Sequence, residues 1–233
     1  MVHSPSSHLI YLSDNSIGNS LDPSVLTLMD KIMTPASWLV TLFYKPIYVV
    51  QAMIAAIPWK FKTRFSVTHG PIVSFFQALR TSPPPFTTGN LGIGAAGFCW
   101  GGKHALLLAQ DAPSSRVRRH ESQINFETLE PLIDCAFTAH PSYIDVPKDI
   151  EAITIPTSVA VGDEDMAMKA PLIKQMKEIL EVKKKGDHEV NILPGAKHGF
   201  AVRTHPDDKH EMECAEKAEV QAIEWFTRFL IRA

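Results

Sequence analysis

Residues 94–109 read Gly-Ala-Ala-Gly-Phe-Cys-Trp-Gly-Gly-Lys-His-Ala-Leu-Leu-Leu-Ala, a run that admits few conformations. Its first half, Gly94 to Phe98, is small and apolar enough for a buried strand. The part from Gly102 onward suits a helix, and the glycines between allow only a sharp turn. Cys99 stands at that turn, in a Gly-x-Cys-x-Gly frame. Small flanking residues let strand and helix approach while the residue at the tip adopts a strained backbone and projects its side chain above the sheet. A lone cysteine ending an apolar strand is ordinarily a small buried hydrophobe. Flanked by Gly97, Gly101 and Gly102, Cys99 reads instead as a nucleophile.

A nucleophile at such a turn calls for an acid and then a histidine further along the chain, and both follow in that order. They are Asp165, in Gly162-Asp163-Glu164-Asp165, and His198, in Pro194-Gly195-Ala196-Lys197-His198-Gly199-Phe200. Asp163 is a rival for the acid role, and Asp165 alone also reads as an N-cap before Met166 to Lys169. Each of the three residues falls just after a predicted strand, at the carboxyl edge of a sheet, where ligands bind in open α/β folds. Cys99 at a helix start beside a histidine gains thiolate character. His198 would serve as base and then acid, with Asp165 holding the imidazole. The residue after the nucleophile supplies an oxyanion donor by general rule, which assigns that role to the N–H of Trp100.

The rest of the chain alternates short apolar runs with longer amphipathic ones, the punctuation of an α/β fold. Predicted strands are His8–Leu12, Leu91–Phe98, Leu132–Ala139, Thr157–Val161 and Val190–Leu193, apolar enough for a parallel sheet covered on both faces. Predicted helices are Val25–Ile32, Pro71–Ala78, Gly102–Gln110, Pro171–Val182 and Pro206–Ile231. Ser82-Pro83-Pro84-Pro85 is a loop.

At 233 residues, 45% hydrophobic and 21% charged, the chain has room for one sizeable core, and a single domain over 1–233 is expected. A net charge of -2 gives no electrostatic case for nucleic acid, and Lys183-Lys184-Lys185 reads as a solvated helix end. Cys99, Cys135 and Cys214 lack Cys-x-x-Cys spacing, which argues against a zinc site or a disulfide framework and for a reducing, cytoplasmic setting. Cys135 and Cys214 read as structural, and His205 and His210 lack a set of metal-ligand partners. The first residues, Met1-Val2-His3-Ser4-Pro5, do not read as a secretory signal.

The stretch Ser37–Trp59 is mostly apolar, interrupted by Lys45-Pro46 and Gln51, and long enough to cross a bilayer. A central lysine costs about 2.5 to 3.5 kcal/mol on insertion scales, and Pro46 would break the helix at the same point. The preferred reading is therefore two short helices, about Pro35–Tyr44 and Ile47–Ile57, within a lid-like helical insertion over 21–69, and membrane contact is not expected.

The segments Gly97-Phe98-Cys99-Trp100-Gly101-Gly102, Gly162-x-x-Asp165 and His198-Gly199-Phe200-Ala201-Val202-Arg203 together resemble the dienelactone hydrolase family, particularly its fungal branch. The resemblance runs from about Tyr11 to the C-terminus, with further motifs at 139–142 (Ala-His-Pro-Ser) and 155–165. It implies an α/β-hydrolase fold, a mostly parallel sheet with helices on both faces. It also implies opening of enol lactones or related esters through a Cys-His-Asp triad without metal or organic cofactor, in the manner of a carboxymethylenebutenolidase, as part of fungal secondary metabolism or aromatic breakdown. By the same resemblance Arg203 would bind a substrate carboxylate, the alternative being a surface arginine. The expected substrate is small, apolar in its body and anionic at one end, with Trp100 and the apolar lid around it.

The likeness weakens at the other end. Family members begin with additional strands and an early loop that supplies a second oxyanion donor and a glutamate near the cysteine. No counterpart of that glutamate precedes Leu9-Ile10-Tyr11-Leu12, so the fold is expected to be N-terminally shortened. A second reading follows: a relative that keeps the triad but works as a binding or accessory protein, as a homodimer covering the uncapped sheet edge.

Overall fold

The computed structural model describes residues 8–12, 23–33, 36–183, 188–204 and 207–231. The chain divides into two units, Asp14–Pro71 and, on either side of it, Met1–Ser13 with Ile72–Ala233.

In the larger unit five short segments pair in the order in which they occur: β1 (His8–Leu12), β2 (Ile93–Phe98), β3 (Cys135–Ala139), β4 (Thr157–Gly162) and β5 (Glu189–Leu193). Every neighbouring pair is parallel. β3 and β4 are buried along their whole length, as strands covered on both faces must be. Side-chain alternation assigns the covering helices. Phe137 meets Phe226 of α7 (Lys209–Leu230) edge-on, with ring centroids 6.4 Å apart. Its neighbour Thr138 points to the other face, where it lies against Gly102 of α4 (Trp100–Leu108). Two consecutive residues of a strand face opposite sides, so α4 and α7 cover opposite faces of the sheet.

β2 and β3 begin later than their apolar runs suggest. Leu91 and Asp134 belong to predicted strands, but their polar groups are engaged by side chains. The N–H of Leu91 donates to Gln123 Oε1 (2.6 Å), its carbonyl accepts from the buried Arg80 (3.1 Å), and the Asp134 carboxylate accepts from the N–H of Ile93 (2.6 Å). Arg80 also pairs with Asp134 at 2.8 Å, tying α3 (Phe65–Thr81) to the start of β2. α3 starts well before the expected Pro71 and runs through it. A residue before proline is pushed out of the helical region by the clash of its Cβ with the ring, and Gly70 has no Cβ. α7 opens at Lys209, where the Asp208 carboxylate accepts from the N–H groups of His210 and Glu211; Pro206, the expected start, lies outside the described residues. This unit also holds α6 (Ala170–Val182) and the short α5 (Lys148–Glu151). Lys183 is no merely solvated helix end: its Nζ donates to the carbonyls of Glu151 and, at 2.7 Å, Ile153. Lys184, Lys185 and His205 lie outside the described residues.

The smaller unit holds α1 (Pro23–Met33), a π turn (Val40–Tyr44) and α2 (Lys45–Lys62), with α1 packed along α2. The two short helices expected around Pro46 are one continuous helical run. In the π turn the N–H of Lys45 donates to the carbonyl of Val40, five residues back, so the regular ladder is already interrupted where proline lacks a donor.

Candidate active site

The end of β2 delivers Cys99 with φ 51° and ψ −119°, a backbone strained for any residue but glycine. Gly97 makes this turn possible, since a Cβ there would run into the carbonyl of Gly101 and the Cα of Gly102. The turn is stitched to the end of β3: Cys99 N–H donates to Ala139 O (3.3 Å), and Ser142 N–H donates back to Cys99 O (3.0 Å).

The ends of β4 and β5 are tied together in the same way. Asp163 N–H donates to Leu193 O, Glu164 N–H to Ala196 O, and Gly195 N–H to Asp163 Oδ1 at 2.6 Å. Gly162 lies so close to Ala196 that a Cβ would collide with its carbonyl. This junction aims Asp165 and His198 at each other. Asp165, with its side chain fully buried, stands 2.9 and 3.0 Å from His198 Nδ1 through its two oxygens, and Oδ1 also accepts the N–H of Ala167 at 2.7 Å. An ionised carboxylate only accepts, so Nδ1 carries the proton and Nε2 faces Cys99 Sγ, 3.1 Å away. Asp163, the rival acid, is spent on Gly195.

Burial is the largest influence on His198 and by itself would lower its pKa, but hydrogen bonds and charge from Asp165 and Cys99 lift it to about 9. Burial likewise works to raise the Cys99 thiol. Hydrogen bonds from His198, Ser142 and the N–H of Trp100 overcome it and hold the thiol below its ordinary value. The contact thus eases ionisation of the thiol and protonation of the imidazole.

Residues 122–230, which carry β3 to β5 with Ser142, Asp165 and His198 but not Cys99, match the dienelactone hydrolase family. Over this stretch, a little under half of the chain, the sequence is similar to that family. Hydrolase tropI of Talaromyces stipitatus is 30% identical over 138 residues, 59% of this chain and 46% of that protein. Hydrolase pyvD of Aspergillus violaceofuscus is 26% identical over 178 residues, 70% of this chain and 64% of that protein. The chain therefore spans less than two thirds of the length of either. A dienelactone hydrolase from Anabaena variabilis superposes with a TM-score of 0.53 at 16% identity, covering 98% of this chain and 88% of that one, a likeness of fold.

The remaining residues expected at this site fall as follows. Trp100 directs its N–H at Cys99, but its indole is only 4% exposed and lies against the His104 ring, centroids 4.4 Å apart. The indole is thus core, not a wall for a ligand, because position 100 opens α4 on its buried side. Arg203 is exposed on the loop beyond His198, its N–H donating to Gly199 O (3.0 Å), and among the described residues it has no ion-pair partner. Ser142 had no role assigned from sequence, yet its Oγ lies 3.4 Å from Cys99 Sγ and 3.3 Å from His198 Nε2. It follows β3 at the carboxyl edge, the same position relative to its strand that singled out Asp165 and His198.

Behind the pair, the buried His140 ring meets His198 edge-on at 5.1 Å, and burial with the nearby His198 charge drops its pKa to about 4. It stays neutral and adds no competing charge. His210 donates through Nε2 to Pro194 O (2.9 Å) and supports the β5 loop. Among the described residues no three His, Cys, Asp or Glu side chains are grouped to hold a metal ion. A groove of about 880 Å³ between α6, β5 and α7 is lined by Lys177, Glu189, Asn191 and Glu216 among others, and by none of Cys99, Asp165 or His198.

Proposed function

We propose that the protein is a cysteine-dependent hydrolase of carboxylic esters or lactones, acting on a small substrate from the reducing cytoplasm. The observation that carries this reading is the unbroken line Asp165–His198–Cys99, with contacts of 2.9 and 3.1 Å. All three cysteines are free, consistent with a thiolate nucleophile in a reducing compartment.

In the proposed reaction Cys99 Sγ adds to the ester carbonyl, and the developing oxyanion takes the N–H of Trp100. As the C–O bond breaks, His198 Nε2 gives its proton to the leaving alkoxide. Water then attacks the thioester and passes a proton back to His198, the S–C bond breaks, and Cys99 leaves as thiolate with the acid product. Asp165 holds the imidazole with Nε2 toward sulfur throughout. Ser142 Oγ, within reach of both, donates to the thiolate while it waits. Arg203 supplies a planar, exposed guanidinium suited to a substrate carboxylate, which supports an anionic lactone over a neutral ester.

Incubation with an activated ester followed by mass spectrometry tests the reading. The expected result is one acyl group on Cys99, removed with time in the native chain and absent in Cys99→Ala. A chain that takes no acyl group from any activated ester, or takes one equally in Cys99→Ala, would be a binding or accessory protein and not this enzyme.

A further inference from the structure

Val40–Lys62, the π turn with α2, is 23 residues long and by length and composition fit to cross a bilayer. Strand pairing forbids it. β1 precedes this helix in the chain and β2 follows it, yet the two are parallel neighbours, His8 opposite Ile93 through Leu12 opposite Gly97. The chain must therefore enter and leave α2 on the same side of any membrane. Neither neighbour offers a return crossing. α1, at 11 residues, is far short of the roughly 20 a span needs, and the second half of α3 is held in a core, with Ile72 and Phe76 buried and Arg80 bonded to Asp134.

What remains is a helix with one face covered and the other open. Lys45, Tyr48, Ala52, Ala55, Ala56 and Trp59 follow helical spacing, and all are buried or half-buried. Lys31 of α1 stands 5.6 Å over the Tyr48 ring on this side. The opposite stripe, Phe43, Ile47, Val50, Ile54, Ile57 and Phe61, is exposed throughout and contains no polar residue. Charge then selects what covers it. Residues 31–110 contain no Asp or Glu, in a chain whose net charge is -2; α1 carries one acid, Asp30, and α2 none, while Lys31, Lys45, Lys60, Lys62 and Arg64 fall in or beside these helices. Arg64 folds over the Phe61 ring at 4.0 Å, at the end of the apolar stripe. A second copy of the chain would bring the cations of two α2 helices together with no acid on either helix to offset them.

We infer that the Asp14–Pro71 unit docks onto an anionic lipid surface, with α2 lying in the plane of the interface, its Phe43–Phe61 stripe in the acyl boundary and Lys60, Lys62 and Arg64 at the phosphates. The helix does not cross the bilayer.

The test is flotation of the full chain with sealed vesicles of phosphatidylcholine, with and without phosphatidylserine. The expected result is co-flotation with the anionic vesicles, weakened about tenfold or more by Lys60→Glu with Lys62→Glu, at roughly 1 kcal/mol per cation lost and more for reversal. Ile54→Glu, at an exposed position, should abolish flotation without changing the melting temperature. Trypsin added outside the vesicles should leave no protected fragment. Absence of flotation with either vesicle, equal flotation of Ile54→Glu, or a protected fragment containing α1 or α3 would each overturn the inference. So would a dimer that Ile54→Glu dissolves in a chain that never floats, or substrate-dependent shielding of α2 without lipid, which would make it a lid.

Discussion

Cys99 Sγ and His198 Nε2 stand 3.1 Å apart although 99 residues separate them in the chain. With the His198 pKa lifted to about 9 and the Cys99 thiol held below its ordinary value, each group favours the charged form of the other. Iodoacetamide at pH 7 should therefore add a single group, on Cys99. Burial pushes the Cys135 thiol far up and raises that of Cys214, so neither competes. In His198→Ala the alkylation profile of Cys99 should move up to that of an ordinary thiol; an unchanged profile would dissociate the cysteine's reactivity from the histidine.

Loss of the imidazole should slow acylation by roughly 10²-fold or more, the usual scale of general acid–base catalysis. Asp165→Asn should be more damaging than Asp163→Asn, because Asp165 meets His198 whereas Asp163 accepts from Gly195. The pH dependence has a definite sign. A histidine raised from 6.5 to about 9 on folding adds stability that is fully present below pH 6.5 and lost as pH rises through about 9. The melting-temperature gap between native and Asp165→Asn protein should close over that window.

Ser142→Ala removes a hydroxyl lying 3.4 Å from Cys99 Sγ and 3.3 Å from His198 Nε2. Hydrogen bonds to charged groups contribute about 1.5 to 3 kcal/mol, so acylation should fall by roughly tenfold or more, with the alkylation profile of Cys99 shifting to higher pH. A rate loss without that shift would make Ser142 a packing residue.

Gly162→Ala should cost stability and chemistry together, since its Cβ would strike the Ala196 carbonyl at the junction that aims Asp165 at His198. Overpacking of this kind costs about 1 to 3 kcal/mol, read as a lower urea midpoint. Gly89→Ala, whose new Cβ would meet only Ile124 at 4.0 Å, serves as the control and should leave both unchanged.

Arg203→Lys should lower kcat/KM for a carboxylate-bearing lactone, because the planar fork is lost, and leave a neutral ester of similar size nearly unaffected. Equal losses on both would assign Arg203 to the loop and not to the substrate.

The strand, turn and helix around Cys99 were legible in the sequence because the constraint is local. Glycines at 97, 101 and 102 decide a backbone path within a few residues, and the apolar runs that follow announce the parallel strands. The convergence of Cys99, Asp165 and His198 was legible for a related reason, since each stands directly after its own strand. Tertiary structure decided what depends on partners distant in the chain. The choice of Asp165 over Asp163 rests on the lacing of two loops around Gly162 and Ala196, and the proximity of Ser142 rests on β3 lying beside β2. The indole of Trp100 lost its expected place because the buried side of α4 is set by the sheet beneath it. The continuity of α2 through Pro46 needed a π turn that no propensity encodes. That a helix long enough to span a bilayer cannot do so follows only from β1 and β2 being neighbours, since topology is a property of pairing between segments and not of either segment alone.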